Sequence, residues 1–143
     1  MKQKSFTDIE QSKKLAEILP LESAEHHYVR KVCDFRGNSV DGKWSEPKYG
    51  NPESSYANYL VQNFTSYEII PCWSLAALLD VINQVREIKH QRVTILVGRY
   101  ANEHWYVEIL RVQDERSVFL EHSKELVNAC YDMIIKLNGL NLL

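Results

Sequence analysis

The chain is predicted to fold in the α+β class, as an antiparallel sheet with three helices packed mainly on one face. Three observations carry that expectation. Apolar stripes with helical spacing occur near both ends and in the middle of the sequence, residues 92–121 read as a three-stranded meander between polar turns, and residues 26–35 alternate as one further strand. With 143 residues, 45% of them hydrophobic, the chain can bury a core without a disulfide or metal. One globular domain, 1–143, is expected, with an irregular aromatic insertion over about residues 36–66.

Thr7 followed three residues later by Glu10 is a capping-box pattern, and Leu15, Ile18 and Leu19 form a short stripe that Pro20 closes near Leu19. In the 26–35 strand Val29, Cys33 and Phe35 share one side, with Arg30 and Asp34 on the other. Turn formers then cluster from Gly37 to Pro52, and Tyr56 to Phe64 is expected to form a short strand or helical turn. Pro71 is placed in a first helical turn, followed by Leu75, Leu78, Leu79, Ile82 and Val85. That helix is expected to reach Glu87, with Arg86, Lys89 and His90 at its negative end. Val93 to Val97 is apolar on both faces. Trp105, Val107 and Ile109 alternate with Tyr106, Glu108 and Leu110, and Val118 and Leu120 mark a third strand. Ser123 offers an N-cap to a last helix with Leu126, Cys130, Met133, Ile134 and Leu137 on one stripe, stopped at Gly139.

Basic and acidic side chains nearly balance, 17 against 19 for a net charge of -2, which gives no global attraction to nucleic acid or an anionic membrane. No apolar run follows Lys2 and Lys4, so no secretory signal is read there. The stretches Ile69 to Leu79 and Val93 to Val97 fall short of the roughly 18–20 residues a bilayer requires. Cys33, Cys72 and Cys130 are odd in number and widely spaced, which matches neither a disulfide framework nor a zinc knuckle; a reducing cytoplasm is the expected location.

The segments Phe6 to Ser23 (FTDIEQSKKLAEILPLES), Ile70 to Leu79 (IPCWSLAALL) and Asn128 to Leu143 (NACYDMIIKLNGLNLL) carry a resemblance covering about a third of the chain. In them the chain resembles a group of small uncharacterised proteins of gut anaerobic bacteria and their phages or mobile elements. The resemblance implies a mobile-element origin and assigns no activity and no functional residue.

Two sets of residues stand out chemically. Cys72, read at the start of the central helix, would gain thiolate stabilisation from unsatisfied N–H groups, and His104 opens a later strand. Together they resemble the nucleophile and base of papain-like hydrolases. Asp114, Glu121 or Asn128 would orient the base, and Gln62 would serve as oxyanion donor. Against this, Gln62 lies ten residues before Cys72 with Pro71 between, no third member can be singled out, and Cys72 shares a helical face with Leu75, Leu79 and Ile82 as a small buried hydrophobe would.

The second set is Trp44, Tyr49, Tyr56, Tyr59 and Phe64, rigid amphipathic rings among Ser, Asn and Gly, a composition suited to recognition. The plainer alternative is that these rings pin the insertion to the body of the domain. No metal site is expected: adjacent His26 and His27 point to opposite faces of a strand, and His104 and Glu108 lie about 13 Å apart along one. The glycines form no phosphate-cradling loop, and no cofactor is implied. Glu103 and Glu108 interleave with Arg99, Tyr100, Trp105, Tyr106 and Arg111, which argues against a nucleic-acid platform. The leading expectation is a non-enzymatic interaction module that binds a protein partner or itself through the aromatic insertion, away from membranes and with no small-molecule substrate specified. A cysteine-dependent hydrolase or transferase using Cys72 and His104 is the alternative.

Overall fold

Helix α1 (Ile9–Ala16) begins with Asp8, one residue later than the Thr7 and Glu10 pattern predicts, in a computed structural model that describes residues 3–34, 36–50 and 66–143. Asp8 and Gln11 satisfy the same spacing. The Asp8 carboxylate accepts from the Gln11 amide at 2.8 Å, and the Gln11 side chain accepts from the Asp8 amide at 3.1 Å. Asp caps more strongly than Thr, and Thr7 is buried instead. The helix stops at Ala16, after which the Ile18 and Leu19 amides fold back on the Leu15 carbonyl ahead of Pro20.

The chain divides into two compact units, Asp8–Ser74 and Met1–Thr7 with Leu75–Leu143. In the first, β1 (His26–Cys33) is the middle strand, flanked by β2 (Lys48–Tyr49) and β3 (Ser66–Cys72), both antiparallel to it. His27, Tyr28 and Val29 are consecutive and all buried, the mark of a strand covered on both faces rather than the one-sided strand its alternation predicts. The expected strand over residues 26–35 therefore exists, but it forms its own sheet and does not extend the meander.

Part of the expected insertion is ordered along this strand. The amides of Val40, Gly42 and Ser45 donate to the carbonyls of Val32, Lys31 and Val29, and the Gly50 amide donates to that of Glu25. A Cβ on Gly42 would overlap the Lys31 carbonyl oxygen, so glycine permits this close approach. Phe35 and the expected Tyr56 to Phe64 element lie outside the described residues.

Pro71 and Cys72 belong to β3 and not to a helix, a correction to the expected boundary. The seven residues Ser66–Cys72 find backbone partners along β1, and proline is tolerated because β3 edges its sheet. Helix α2 (Leu75–Asn83) starts three residues after Cys72 and buries Leu78, Val81 and Ile82. Beyond Asn83 the chain turns into β4 (Glu87–Ile88), which pairs with β5 (Gln91–Arg99) across a tight turn where Lys89 and His90 have φ of 51° and 65°. Arg86 therefore precedes a hairpin whose turn is Lys89 and His90, and none of the three sits at a helix end.

β6 (Trp105–Arg111) and β7 (Ser117–Ser123) complete the expected meander, with β4 added as a fourth strand, in the order β4-β5-β6-β7. Helix α3 (Leu126–Gly139) packs on β6 and β7, and Leu126, Cys130, Met133, Ile134 and Leu137 are all buried as their spacing predicts. Its N-cap is Glu125, two residues beyond Ser123; the Glu125 amide donates to the Ser123 hydroxyl at 3.3 Å, and its carboxylate accepts from the Lys4 amide at 2.8 Å. The α+β class holds, with antiparallel sheets in both units. Gly42→Ala is expected to destabilise the protein by about 1–3 kcal/mol by lifting the 40–45 segment off β1, as read by urea unfolding.

Candidate functional site

Cys72 is the last residue of β3, paired with His26 and buried. It shares a hydrogen bond with the Tyr28 hydroxyl, and burial, reinforced by this neighbour, pushes the Tyr28 phenol well above its ordinary range. Cys72 lies in β3 and outside α2, which starts at Leu75, so the expected position in that helix's first turn does not hold. His104 belongs to the other unit, in the turn before β6, where its Nδ1 lies 3.3 Å from His122 Nδ1. The residues considered for orienting it have other engagements. Asp114 accepts from Arg111 at 2.9 Å, Glu121 pairs with Lys136, and Asn128 accepts from Lys4 Nζ at 3.0 Å. Gln62 lies outside the described residues.

Of the aromatic set, Trp44 and Tyr49 are described, and Tyr56, Tyr59 and Phe64 are not. Trp44 lies under the Arg30 guanidinium, 4.8 Å from ring centroid to Cζ, and Arg30 is in turn held by Glu68. This ring pins the segment to β1. Tyr49 differs, standing 82% exposed with its ring edge-on to His26 at 5.4 Å. Beside it, His27 is buried and its Nδ1 lies 3.1 Å from the Gly50 carbonyl, to which this nitrogen donates because a carbonyl only accepts.

The meander carries a surface that the sequence reading did not single out. Its register places Leu96, Glu108 and Leu120 in one row across β5, β6 and β7, and Gly98, Tyr106 and His122 in the next row on the same face. Val107 and Ile109 point the other way into the core, toward the side that α3 covers. A solvated sheet face normally alternates to polar residues, yet Leu96 is 43% exposed, Leu120 38% and the adjoining Tyr100 40%. Tyr106 lies over Gly98, where a Cβ would meet its ring, and its own ring packs on Tyr100 at 4.7 Å. Trp105 is on the core-facing side, as its sharing a face with Val107 and Ile109 predicts, with Arg99 5.5 Å from its ring. The signal for the outer face was the apolar character of both sides of β5. Cross-strand register turns that signal into a surface, and a linear reading does not supply it.

Two hollows are also present in this unit. A groove of about 440 Å³ is lined by Ala76, Leu79, Asp80, Asn83, Ile95 and Val97, and a smaller one of about 270 Å³ includes Arg92 and Arg111. Among the described residues no three or more His, Cys, Asp or Glu side chains converge as metal ligands, and no helix is long and apolar enough to cross a membrane. Comparison of the chain with protein-family models, curated proteins and solved structures finds no match.

Two measurements follow from these environments. Burial, its largest influence, holds the His27 imidazole below the usual histidine range; the Gly50 carbonyl opposes this, and Lys48 and His26 reinforce it. The unfolded chain therefore takes up a proton near pH 6.5, the ordinary histidine value, that the folded chain resists, so the His27 contribution is complete above that pH and is lost as the pH falls below it. The urea midpoint is expected to drop between about pH 7.5 and pH 5.5, with a shallower slope in His27→Gln. None of the three cysteines is in a disulfide, and burial pushes the Cys130 thiol up to about 12. Iodoacetamide should therefore modify half-exposed Cys33 first in the native protein and reach Cys72 and Cys130 only on unfolding.

Proposed function

We propose that this chain is a protein-interaction module and not a thiol enzyme, and that it engages its partner through the outer face of the β5–β7 meander. The observation that carries this reading is the row Leu96, Glu108, Leu120, with two leucines left substantially in water next to the row of Tyr106, on which exposed Tyr100 packs. A partner suited to this face presents apolar side chains around one Lys or Arg, because covering Glu108 without a counter-charge leaves a carboxylate desolvated and unpaired. The buried position of Cys72 at a strand end supports setting the thiol reading aside. Tyr49, on the other unit, is a second exposed ring and retains part of the role expected of the insertion. Three cysteines outside any disulfide fit a cytoplasmic setting, and the mobile-element origin rests on the resemblance of the terminal and central segments.

Native mass spectrometry and cross-linking from host extract test this assignment. Leu96→Ser with Leu120→Ser is expected to weaken association at least about tenfold, whereas Tyr49→Ala has a smaller effect. An unchanged partner and oligomer profile in the double variant would sink the reading.

A further inference from the structure

The two imidazoles at the end of the meander's outer face meet through the same ring atom. His104 Nδ1 and His122 Nδ1 are 3.3 Å apart, with ring centroids 5.5 Å apart and the planes tilted by 42°. Two nitrogens each about 2.0–2.1 Å from a tetrahedral ion are separated by about 3.3–3.4 Å, whereas adjacent positions of an octahedron would place them about 2.9 Å apart. The observed separation, which the pair holds as a nitrogen-to-nitrogen contact without an ion, matches the edge of a tetrahedral site. Imidazole nitrogen is also the donor that zinc-class ions accept.

Both ligands are held by backbone that does not depend on an ion. The Tyr100 amide donates to the His104 carbonyl at 2.7 Å, the Glu103 amide donates to the Tyr100 carbonyl at 3.0 Å, and the Asn102 side chain accepts from the His104 amide at 3.2 Å. Glu103, with φ of 69°, completes this tight turn. His122 is set by β7, opposite Tyr106, and the Tyr100 ring stands edge-on to it at 6.3 Å. Backbone held in this way fixes where the two imidazoles start, whether or not an ion is bound.

We propose that His104 and His122 form a two-histidine site for a Zn²⁺-class ion, ligated through both Nδ1 atoms with two coordination positions open. Among the described residues no third His, Cys, Asp or Glu joins them, so solvent fills the remaining positions in the isolated chain. Binding replaces the contact between the two Nδ1 atoms, and a proton carried on either Nδ1 leaves it by exchange with water so that both nitrogens present lone pairs to the ion. The site stands whether or not the neighbouring apolar face engages a partner.

Zn²⁺ titrated calorimetrically into the untagged full chain tests this. One ion per chain is expected, weakened at least about tenfold in His122→Ala and in His104→Gln and unchanged in His90→Ala, a histidine on the β4–β5 turn. Co²⁺ should give the intense visible absorption of a tetrahedral centre, lost in the same two variants. The proposal is overturned if the wild type takes up no more Zn²⁺ than a chain lacking both histidines, or if either single variant binds as the wild type does.

Discussion

The alternation along β6 is the constraint on which the meander unit depends. Val107 and Ile109 are buried, while Tyr106 and Glu108 occupy the opposite face, and a slip of one residue against β5 or β7 would exchange the two sets. Burying each of these two aliphatic side chains contributes about 1.5–3 kcal/mol, enough to fix the register. Once it is fixed, α3 has one face to cover, and its stripe from Leu126 to Leu137 meets it. The same choice leaves Leu96, Tyr106 and Leu120 on the outside and draws His122 toward His104. The apolar outer face and the paired imidazoles are both consequences of a core decision made elsewhere on the same strands.

The Asp8–Ser74 unit is organised by a different restriction. β1 is paired along both edges, by β3 on one side and by backbone from residues 39–49 on the other. Its faces are covered as well: His27 and Tyr28, which lie on opposite faces, are both buried and take their character from that burial. Trp73 adds a satisfied anchor, its indole N–H donating to the Ser23 hydroxyl at 2.9 Å, while that hydroxyl donates to the Pro20 carbonyl. In this setting Cys72 is a component of the packing.

How much of this was legible in the sequence depends on whether the determining interaction is local. The stripe of α3, the alternation of β6 and the two meander turns are local patterns, and the α+β class followed from them. The 71–72 boundary was misread because Pro71 satisfies a helix start by local rules, whereas its role as an edge-strand residue depends on β1, more than forty positions earlier. Cys72 lost its helix-end environment with that boundary. The pairing of Trp44 with Arg30 and of His104 with His122 likewise arises from chain segments brought together by register, which spacing alone does not encode. Of the two described aromatic residues of the insertion, Trp44 lies under Arg30 and Tyr49 is exposed, an arrangement that the linear sequence does not distinguish.

The central claim is that the meander has one buried and one exposed apolar face, and single lysine substitutions measure this most directly. In urea unfolding, Leu96→Lys and Leu120→Lys are predicted to change stability by no more than about 0.5–1 kcal/mol, whereas Ile109→Lys, which drives an unpaired charge into the core, is predicted to remove more than about 3 kcal/mol. Equal, severe destabilisation by Leu96→Lys and Ile109→Lys would contradict the account, because it would mean that both faces are core.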